Sequence, residues 1–92
     1  MKFGTRIRRI VEVEAEKFRI QIEYEDGFRG TVDLGFLFSE PRGKPLVQEI
    51  LRGDLFAQCF VESGALAWPN GYELCPDAIR EWIREAARRS VA

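Results

Sequence analysis

The stretch LAWPNGYELCPDAI, residues 66–79, joins a tight turn to the start of a helix. Pro69 supplies the fixed φ of a first turn position, and the Asn-Gly pair after it suits the positions that follow. This predicts a three-residue turn that pairs Trp68 with Tyr72 across a hairpin. The aromatic residues then form a packed cross-strand pair, whereas the alternative interpretation is a recognition tip that grips a ligand or partner.

A second turn lies just upstream, at Ser63-Gly64. It pairs Val61 with Leu66 and Cys59 with Trp68. The two turns together predict an antiparallel three-stranded meander. One face of it carries Cys59, Val61, Leu66, Trp68, Tyr72 and Leu74, and the other carries Phe60, Glu62, Ala67 and Glu73.

The sequence YEDGF, residues 24–28, resembles WPNGY in ending its turn with glycine. A two-residue turn would set Ile20 opposite Asp33 and mix apolar with charged side chains. A three-residue loop with a left-handed Gly27 keeps the faces separate. The predicted pairs are Tyr24 with Phe28, Ile22 with Gly30, Ile20 with Val32, Phe18 with Leu34, Glu23 with Arg29, Gln21 with Thr31 and Arg19 with Asp33.

Residues 10–15 alternate as well, which predicts a first strand that makes this unit another three-stranded meander, from Ile10 to Leu34. We expect a two-residue turn at Glu16-Lys17. That turn lacks the positive-φ residues such turns prefer, so a longer loop is the alternative. The predicted pairs are Ala15 with Phe18, Val13 with Ile20, Val11 with Ile22 and Glu14 with Arg19.

Between the meanders, residues 34–45 are predicted to be a loop, with Pro41, Gly43 and Pro45 as breakers. Residues 46–53 predict a short central helix that ends near Gly53, and Asp54 is expected to cap a further turn. A C-terminal amphipathic helix is predicted over residues 76–89, with Ile79, Trp82, Ile83 and Ala86 as its buried stripe. The fold class is therefore α+β. The residues that carry the turn and helix signals are Asp26, Gly27, Trp68, Pro69, Asn70, Gly71, Pro76 and Asp77.

Size and composition exclude several classes of protein. A chain of 92 residues predicts a single domain over residues 1–92, with a stability margin thin enough that dimerisation would help. The formal net charge is −1, which leaves no overall basic field for nucleic acid. With no long apolar run and no leader-like segment, a cytoplasmic location without membrane association is the expectation. The chain has no histidine and two cysteines, which argues against the common catalytic pairs, and no metal or cofactor is expected.

The segments YEDGFRGTVDL, DLFAQCFVESGALAWPNGYEL and CPDAI resemble the small bacterial domain-of-unknown-function family 2442, over about residues 10–79. Cys75 departs from the pattern, because an acidic helix cap is usual there and cysteine caps poorly. The resemblance implies partnership with another small protein encoded nearby, in arrangements similar to toxin–antitoxin pairs. Some members are fused to a DNA-binding helix-turn-helix domain, and the resemblance implies no catalytic residues.

Three groups of side chains are candidate sites. Arg80, Arg84 and Arg88, with Arg89, form a basic stripe on the last helix, and Arg6, Arg8 and Arg9 form a second basic cluster. Both could contact phosphates or an acidic partner, but a solvated face that pairs with Glu81 and Glu85 is favoured. Acidic residues on the outer sheet face are interpreted as a salt-bridge ladder rather than a metal site; they are Glu12, Glu14, Glu23 and Asp33, with Arg19 and Arg29 among them.

These observations favour a small non-enzymatic interaction module, an antitoxin-like partner of another small protein, that acts through a sheet edge and the arginine-bearing helix. The alternative is a nucleic-acid-binding or transcription-associated domain that uses the arginine clusters. Self-association into a homodimer also fits the open strand edge. An enzyme would need a nucleophile, and only Cys75 is a candidate, so no enzymatic activity is expected.

Overall fold

A computed structural model describes residues 5–38, 44–52 and 54–90 of the chain. Two antiparallel sheets, in the orders β1-β2-β3 and β4-β5-β6, combine with helices to give the predicted α+β fold. The strands are β1 (Ile7–Glu14), β2 (Arg19–Tyr24), β3 (Arg29–Asp33), β4 (Phe60–Glu62), β5 (Ala65–Ala67) and β6 (Glu73–Leu74). The helices are α1 (Gly35–Phe38), α2 (Pro45–Arg52) and α3 (Pro76–Ser90).

The β2–β3 hairpin has the predicted three-residue loop and register. Ile20 pairs with Val32, Ile22 with Gly30, and Arg19 with Asp33. Gly27 has a φ of 93°, the left-handed conformation that glycine adopts without steric cost. The separation of apolar from charged side chains was therefore sufficient to identify this register.

The β1–β2 connection differs from the prediction of a two-residue turn. Residues Ala15–Lys17 form a 3-10 turn, and Phe18 leaves it in a left-handed conformation with φ 54°. Val13 still pairs with Ile20 and Glu14 with Arg19. The predicted pairing of Val11 with Ile22 is wrong, because a register shift between Ile10 and Glu12 places Ile10 opposite Ile22. Alternation alone cannot locate such a bulge.

The C-terminal meander follows the predicted register. Val61 pairs with Leu66 and Leu66 with Leu74, across a turn in which Ser63 and Gly64 both have positive φ. The expected pairing of Cys59 with Trp68 lies outside the ladder, since β4 begins at Phe60. Ala67, on the predicted outer face, is buried as deeply as its neighbours.

Three predictions for the middle of the chain are wrong. Residues 35–38, expected in a loop, form helix α1, because the Asp33 carboxylate accepts a hydrogen bond from the Gly35 N–H at 2.9 Å and Phe38 is buried. Asp54 does not cap the 3-10 turn Phe56–Gln58. Leu55 occupies the capping position, and no side chain makes a capping hydrogen bond there. The central helix runs from Pro45 to Arg52, so Pro45 begins a helix and the prediction that it is a loop breaker is wrong. The expected breakers Pro41 and Gly43, and the expected helix end Gly53, lie outside the described residues.

The core lies between the two sheets and the helices. A cluster of aromatic rings occupies the side next to α1 and the 3-10 turn Phe56–Gln58; its members are Phe18, Phe38, Phe56, Trp68 and Tyr72. The sheets meet where the Ile7 N–H donates to the Gly64 carbonyl at 2.9 Å. Helix α3 packs on β3 through Ile83, which is so close to Gly30 that a Cβ there would lie 2.7 Å from the Ile83 Cγ2 atom.

Candidate protein-binding surface

Trp68, the bulkiest residue of the opening stretch, belongs to the core. Its side chain is 1 % exposed, and its indole N–H donates to the Phe56 carbonyl at 3.0 Å. Tyr72 packs against it with ring centroids 5.7 Å apart. The packing interpretation is therefore correct, and the recognition-tip alternative is wrong for Trp68.

Asn70 does more than shape the turn. Its side-chain oxygen accepts from the Tyr72 N–H at 3.2 Å, while its amide nitrogen donates to the Leu46 carbonyl at 2.9 Å and to Glu49 at 3.1 Å. Leu46 and Glu49 belong to α2, so the side chain of Asn70 connects the β5–β6 turn to that helix by hydrogen bonds. Sequence reasoning assigned Asn70 to backbone geometry alone and missed this contact.

Asp26 has the corresponding position in the β2–β3 turn. Its carboxylate accepts from the Phe28 N–H at 3.1 Å and forms an ion pair with Arg80 of α3 at 2.9 Å. The hydrogen bond from Arg80, followed by that from Phe28, holds the pKa of Asp26 below its usual value. The turn is thereby fastened to the first turns of α3.

Arg80 is not part of a solvated basic stripe. Its side chain is 14 % exposed, and its guanidinium carbon lies 4.2 Å from the Phe28 ring centroid and 4.9 Å from that of Tyr24. The Tyr24 hydroxyl in turn donates to the Pro76 carbonyl at 2.8 Å, and burial raises the pKa of that hydroxyl above its usual value while Arg80 opposes the rise. The prediction for Arg80 is therefore corrected, because cation–π contact and ion pairing give it a structural role.

The other arginines of α3 are exposed and partly paired. Glu81 lies 3.9 Å from Arg84, as the i,i+3 spacing predicts, and 3.4 Å from Arg88, two helical turns further along. Arg84 also contributes to a polar cleft of about 310 Å³, in which three carboxylates face two guanidiniums; its lining residues are Thr5, Asp26, Asp77, Arg80, Glu81 and Arg84. This part of α3 therefore presents charges of both signs.

The N-terminal basic cluster is also paired with acceptors on β2 and in the turn that follows it. Arg6 lies 3.6 Å from the Glu25 carboxylate, Arg8 donates to the Glu25 carbonyl at 3.3 Å, and Arg9 binds Glu23 at 2.9 Å. On the outer sheet face, Arg19 and Asp33 form the expected salt bridge at 3.4 Å. These pairs agree with the interpretation of compensated charges, but the predicted ladder is incomplete, because Glu12, Glu14 and Arg29 form no salt bridge within the described residues.

The two cysteines have different surroundings. Cys75 is exposed at the start of α3, and its carbonyl accepts the first helical hydrogen bond from the Ile79 N–H at 3.1 Å. Cys59 is half-buried, and burial raises the pKa of its thiol to about 11. A raised pKa keeps Cys59 protonated and a poor nucleophile at neutral pH.

An aromatic pair of one exposed ring, Phe36, and one half-buried ring, Trp82, lies where β3 leads into α1, and sequence reasoning missed it. Phe36 is 57 % exposed and meets Trp82 of α3 edge to face, with ring centroids 5.1 Å apart. Together with Asp33, Glu85 and Arg89 they line a cleft of about 270 Å³, which we call the Phe36–Trp82 cleft. The prediction that Trp82 belongs to the buried stripe of α3 is confirmed in part, because its half-buried side chain packs against the core while one side of it meets Phe36. The outward orientation of Phe36 depends on α1, and the available signal was Asp33, which lies just before the N-cap position and accepts a hydrogen bond from the Gly35 N–H.

The fold and the surface define a small α+β domain built from two meanders and a C-terminal helix. A family model described as "Protein of unknown function (DUF2442)" matches residues 10–85, so the chain belongs to this family. The match confirms the resemblance seen in the sequence. No curated protein and no solved structure shows significant similarity to the chain. Within residues 5–38, 44–52 and 54–90, no helix is both long enough and apolar enough to cross a bilayer.

Proposed function

We propose that this chain is a non-enzymatic protein-binding module, the antitoxin-like partner of another small protein, and that it binds through the Phe36–Trp82 cleft. The observation that carries the proposal is the 57 % exposure of Phe36, which exceeds that of Leu46 and Phe60, each 39 % exposed. Exposing a phenyl ring costs hydrophobic free energy that a partner can recover by covering it.

The surroundings of the aromatic pair support a protein partner. Asp33, Glu85 and Arg89 form a charged rim around the two rings. An aromatic centre within a polar rim is the usual arrangement of an energetically dominant patch in a protein interface. Two acids and one arginine on that rim favour a partner whose apolar side chain is flanked by basic groups.

A binding role also fits the chemistry of the thiols and the composition. The chain contains no histidine, and the Cys59 thiol, with a pKa of about 11, stays protonated at neutral pH. Cys75→Ser is expected to leave partner binding unchanged, because Cys75 does not line the Phe36–Trp82 cleft. A defined reaction that requires Cys75 would contradict the non-enzymatic assignment.

The product of the adjacent gene, co-expressed with this chain, is the partner to test first. We expect co-purification with the wild-type chain, and at least about tenfold weaker binding for Phe36→Ser. Phe60→Ser is the matched control, since it removes another exposed phenyl ring, from β4. If both variants bind as the wild type does, or if the neighbour does not bind, the proposal is wrong.

Trp82 supplies a direct optical readout of the same event. It touches Phe36, whereas Trp68 is buried in the core, so partner binding is expected to blue-shift the emission of Trp82 alone. Trp82→Phe would then abolish the shift. A shift that persists in Trp82→Phe would place the binding site elsewhere.

Nucleic-acid binding remains the alternative, but the contacts of the arginines give it less support. Arg80 is stacked and paired, and Arg84 and Arg88 share Glu81. The alternative predicts affinity that falls steeply with salt, with a shallower slope in Arg84→Ala/Arg88→Ala. Binding of that kind, unaffected by Phe36→Ser, would favour the alternative over the protein-binding proposal.

A further inference from the structure

Strand β3 has one edge that no strand of the described chain covers. The Tyr24 N–H donates to the Phe28 carbonyl at 2.8 Å, and the Leu34 N–H donates to the Phe18 carbonyl at 2.7 Å. Because hydrogen-bonded pairs alternate in an antiparallel ladder, the even-numbered residues of β3 bond to β2. The N–H and C=O groups of the odd-numbered residues therefore point away from the sheet. These residues, all exposed, are Arg29, Thr31 and Asp33.

The opposite edge of the same sheet is built differently. Strand β1 has register shifts between Ile7 and Arg9 and between Ile10 and Glu12. Its first residue, Ile7, donates its N–H to the Gly64 carbonyl of the second sheet. Bulges and coverage of this kind are the usual protection of an edge against pairing, and β3 has neither a bulge nor a proline.

We propose that β3 pairs antiparallel with β3 of a second copy of this chain, about a two-fold axis at Thr31. The two three-stranded sheets then form one continuous six-stranded sheet. Each Arg29 lies opposite Asp33 of the second copy, and the two Thr31 residues face each other. This inference does not rest on the proposed function.

Charge complementarity favours a second copy of the chain as the partner of β3, and it favours the register centred on Thr31. In the described part of the chain Arg29 has no salt bridge of its own, although Glu23 is its cross-strand neighbour, because Glu23 binds Arg9. The two-fold register offers Arg29 a carboxylate directly across the new ladder. A shift by two residues along the edge would remove both Arg29–Asp33 pairs. The short ladder predicts a dimer that dissociates in the micromolar range.

A charge-swap experiment tests the pairing. In Arg29→Asp, two carboxylates face each other at each end of the ladder, and in Asp33→Arg two guanidiniums do, so each variant alone is expected to be monomeric. When the two variants are mixed, every opposed pair again has opposite charges, so a heterodimer forms. Sedimentation velocity of each sample and of the mixture measures this. Lys17→Asp, which makes the same charge change at an exposed turn, should dimerise like the wild type.

A second variant keeps the test decisive if Asp33→Arg, which loses the cap of α1, fails to fold. Thr31→Pro removes an outward N–H without removing a bond to β2, and proline is tolerated on edge strands. It should give a monomer with native far-UV circular dichroism. A wild type that stays monomeric at about 100 μM, or Arg29→Asp and Thr31→Pro dimers as tight as the wild type, would overturn the inference.

Arg29→Asp and Phe36→Ser separate the dimer from the partner surface, whereas Asp33 belongs to both. Arg29→Asp should abolish dimerisation and retain binding of the adjacent gene product. Phe36→Ser should do the reverse. If the dimer is found without partner binding, only the proposed function fails, and if partner binding is found with a monomeric chain, only the dimer fails.

Discussion

The β2–β3 turn and the β5–β6 turn have nearly the same geometry. Their glycines have φ values of 93° and 95°, and the aspartate or asparagine before each glycine accepts a backbone hydrogen bond at 3.1 or 3.2 Å. The aromatic pairs that flank the turns each have ring centroids 5.7 Å apart. The shared geometry sets the register of both hairpins, in sheets that otherwise have different lengths and neighbours.

The difference lies in the remaining side-chain atoms of the two residues. Asp26 uses a second oxygen to bind Arg80 of α3, whereas Asn70 uses its amide nitrogen to bind the Leu46 carbonyl of α2. The β2–β3 turn is thus connected to α3 by an ion pair, and the β5–β6 turn is connected to α2 by a hydrogen bond between uncharged groups. A carboxylate suits a cationic partner and an amide suits a carbonyl, so the residue type determines which helix each turn can hold.

The largest effect on the free energy of unfolding is expected from removing Trp68, the buried aromatic residue before the β5–β6 turn. Trp68→Ala deletes a buried ring and orphans the Phe56 carbonyl, and we expect a loss of about 3–5 kcal/mol in the free energy of unfolding. Phe28→Ala, at the first turn, should cost less because Phe28 is only half-buried. Urea unfolding followed by circular dichroism measures both. Equal losses would contradict the expectation that the cost follows the burial of each ring, since Trp68 is 1 % exposed and Phe28 is half-buried.

The next largest effect is expected at Asn70, whose uncharged side chain connects the second turn to α2. Asn70→Asp keeps the oxygen that binds the Tyr72 N–H but replaces the donor to Leu46 and Glu49 with a negative oxygen. Repulsion from the carbonyl and the carboxylate is expected to cost about 1–2 kcal/mol. Adding Glu49→Gln should restore part of the loss, since the glutamine amide can donate to the carboxylate introduced at position 70. An Asn70→Asp protein as stable as the wild type would show that the contact with α2 contributes nothing.

The glycine replacements test how similar the two turns are. A Cβ at Gly27 or Gly71 would meet no atom within 4 Å, so alanine there should cost only the backbone penalty, about 1 kcal/mol at each position. Gly30→Ala is the contrast, because its Cβ would lie 2.7 Å from Ile83 and should cost more. Unfolding midpoints of the three variants measure this, and unequal losses at Gly27 and Gly71 would break the equivalence of the turns.

The features that the sequence predicted are those that local patterns determine. The hairpin registers follow from turn length and from the alternation of apolar residues, as at Ile20 and Val32. The bulge near Val11 and the burial of Arg80 depend on contacts with distant segments, so no local pattern contains them. Helix α1 was missed because the prolines and glycine that follow it predict a loop, and the hydrogen bond from the Gly35 N–H to Asp33 is not visible in the sequence. The outward position of Phe36 depends on that helix.

The smallest effect is expected at Asp26, whose carboxylate connects the first turn to α3 through Arg80. Asp26→Asn keeps the acceptor for the Phe28 N–H and removes only the charge that pairs with Arg80, so at neutral pH it should destabilise the chain less than the glycine replacements do. The pKa of Asp26 lies below its usual value of 3.8 in the folded chain. The unfolded chain therefore binds more protons in that range, and the stabilisation is present above pH 3.8 and lost as the pH falls through the lowered pKa.

Urea unfolding of the wild type and of Asp26→Asn, at neutral pH and at successively lower pH, measures this dependence. The difference in stability between them should shrink with falling pH and also with added salt, because the pair is partly exposed and salt screens it. The corresponding dependence should be absent at the other turn, where Asn70 does not titrate. A difference that stays constant from neutral to strongly acidic pH would mean that the ion pair does not fasten the first turn, and stacking of Arg80 on Phe28 would then be its principal attachment to α3.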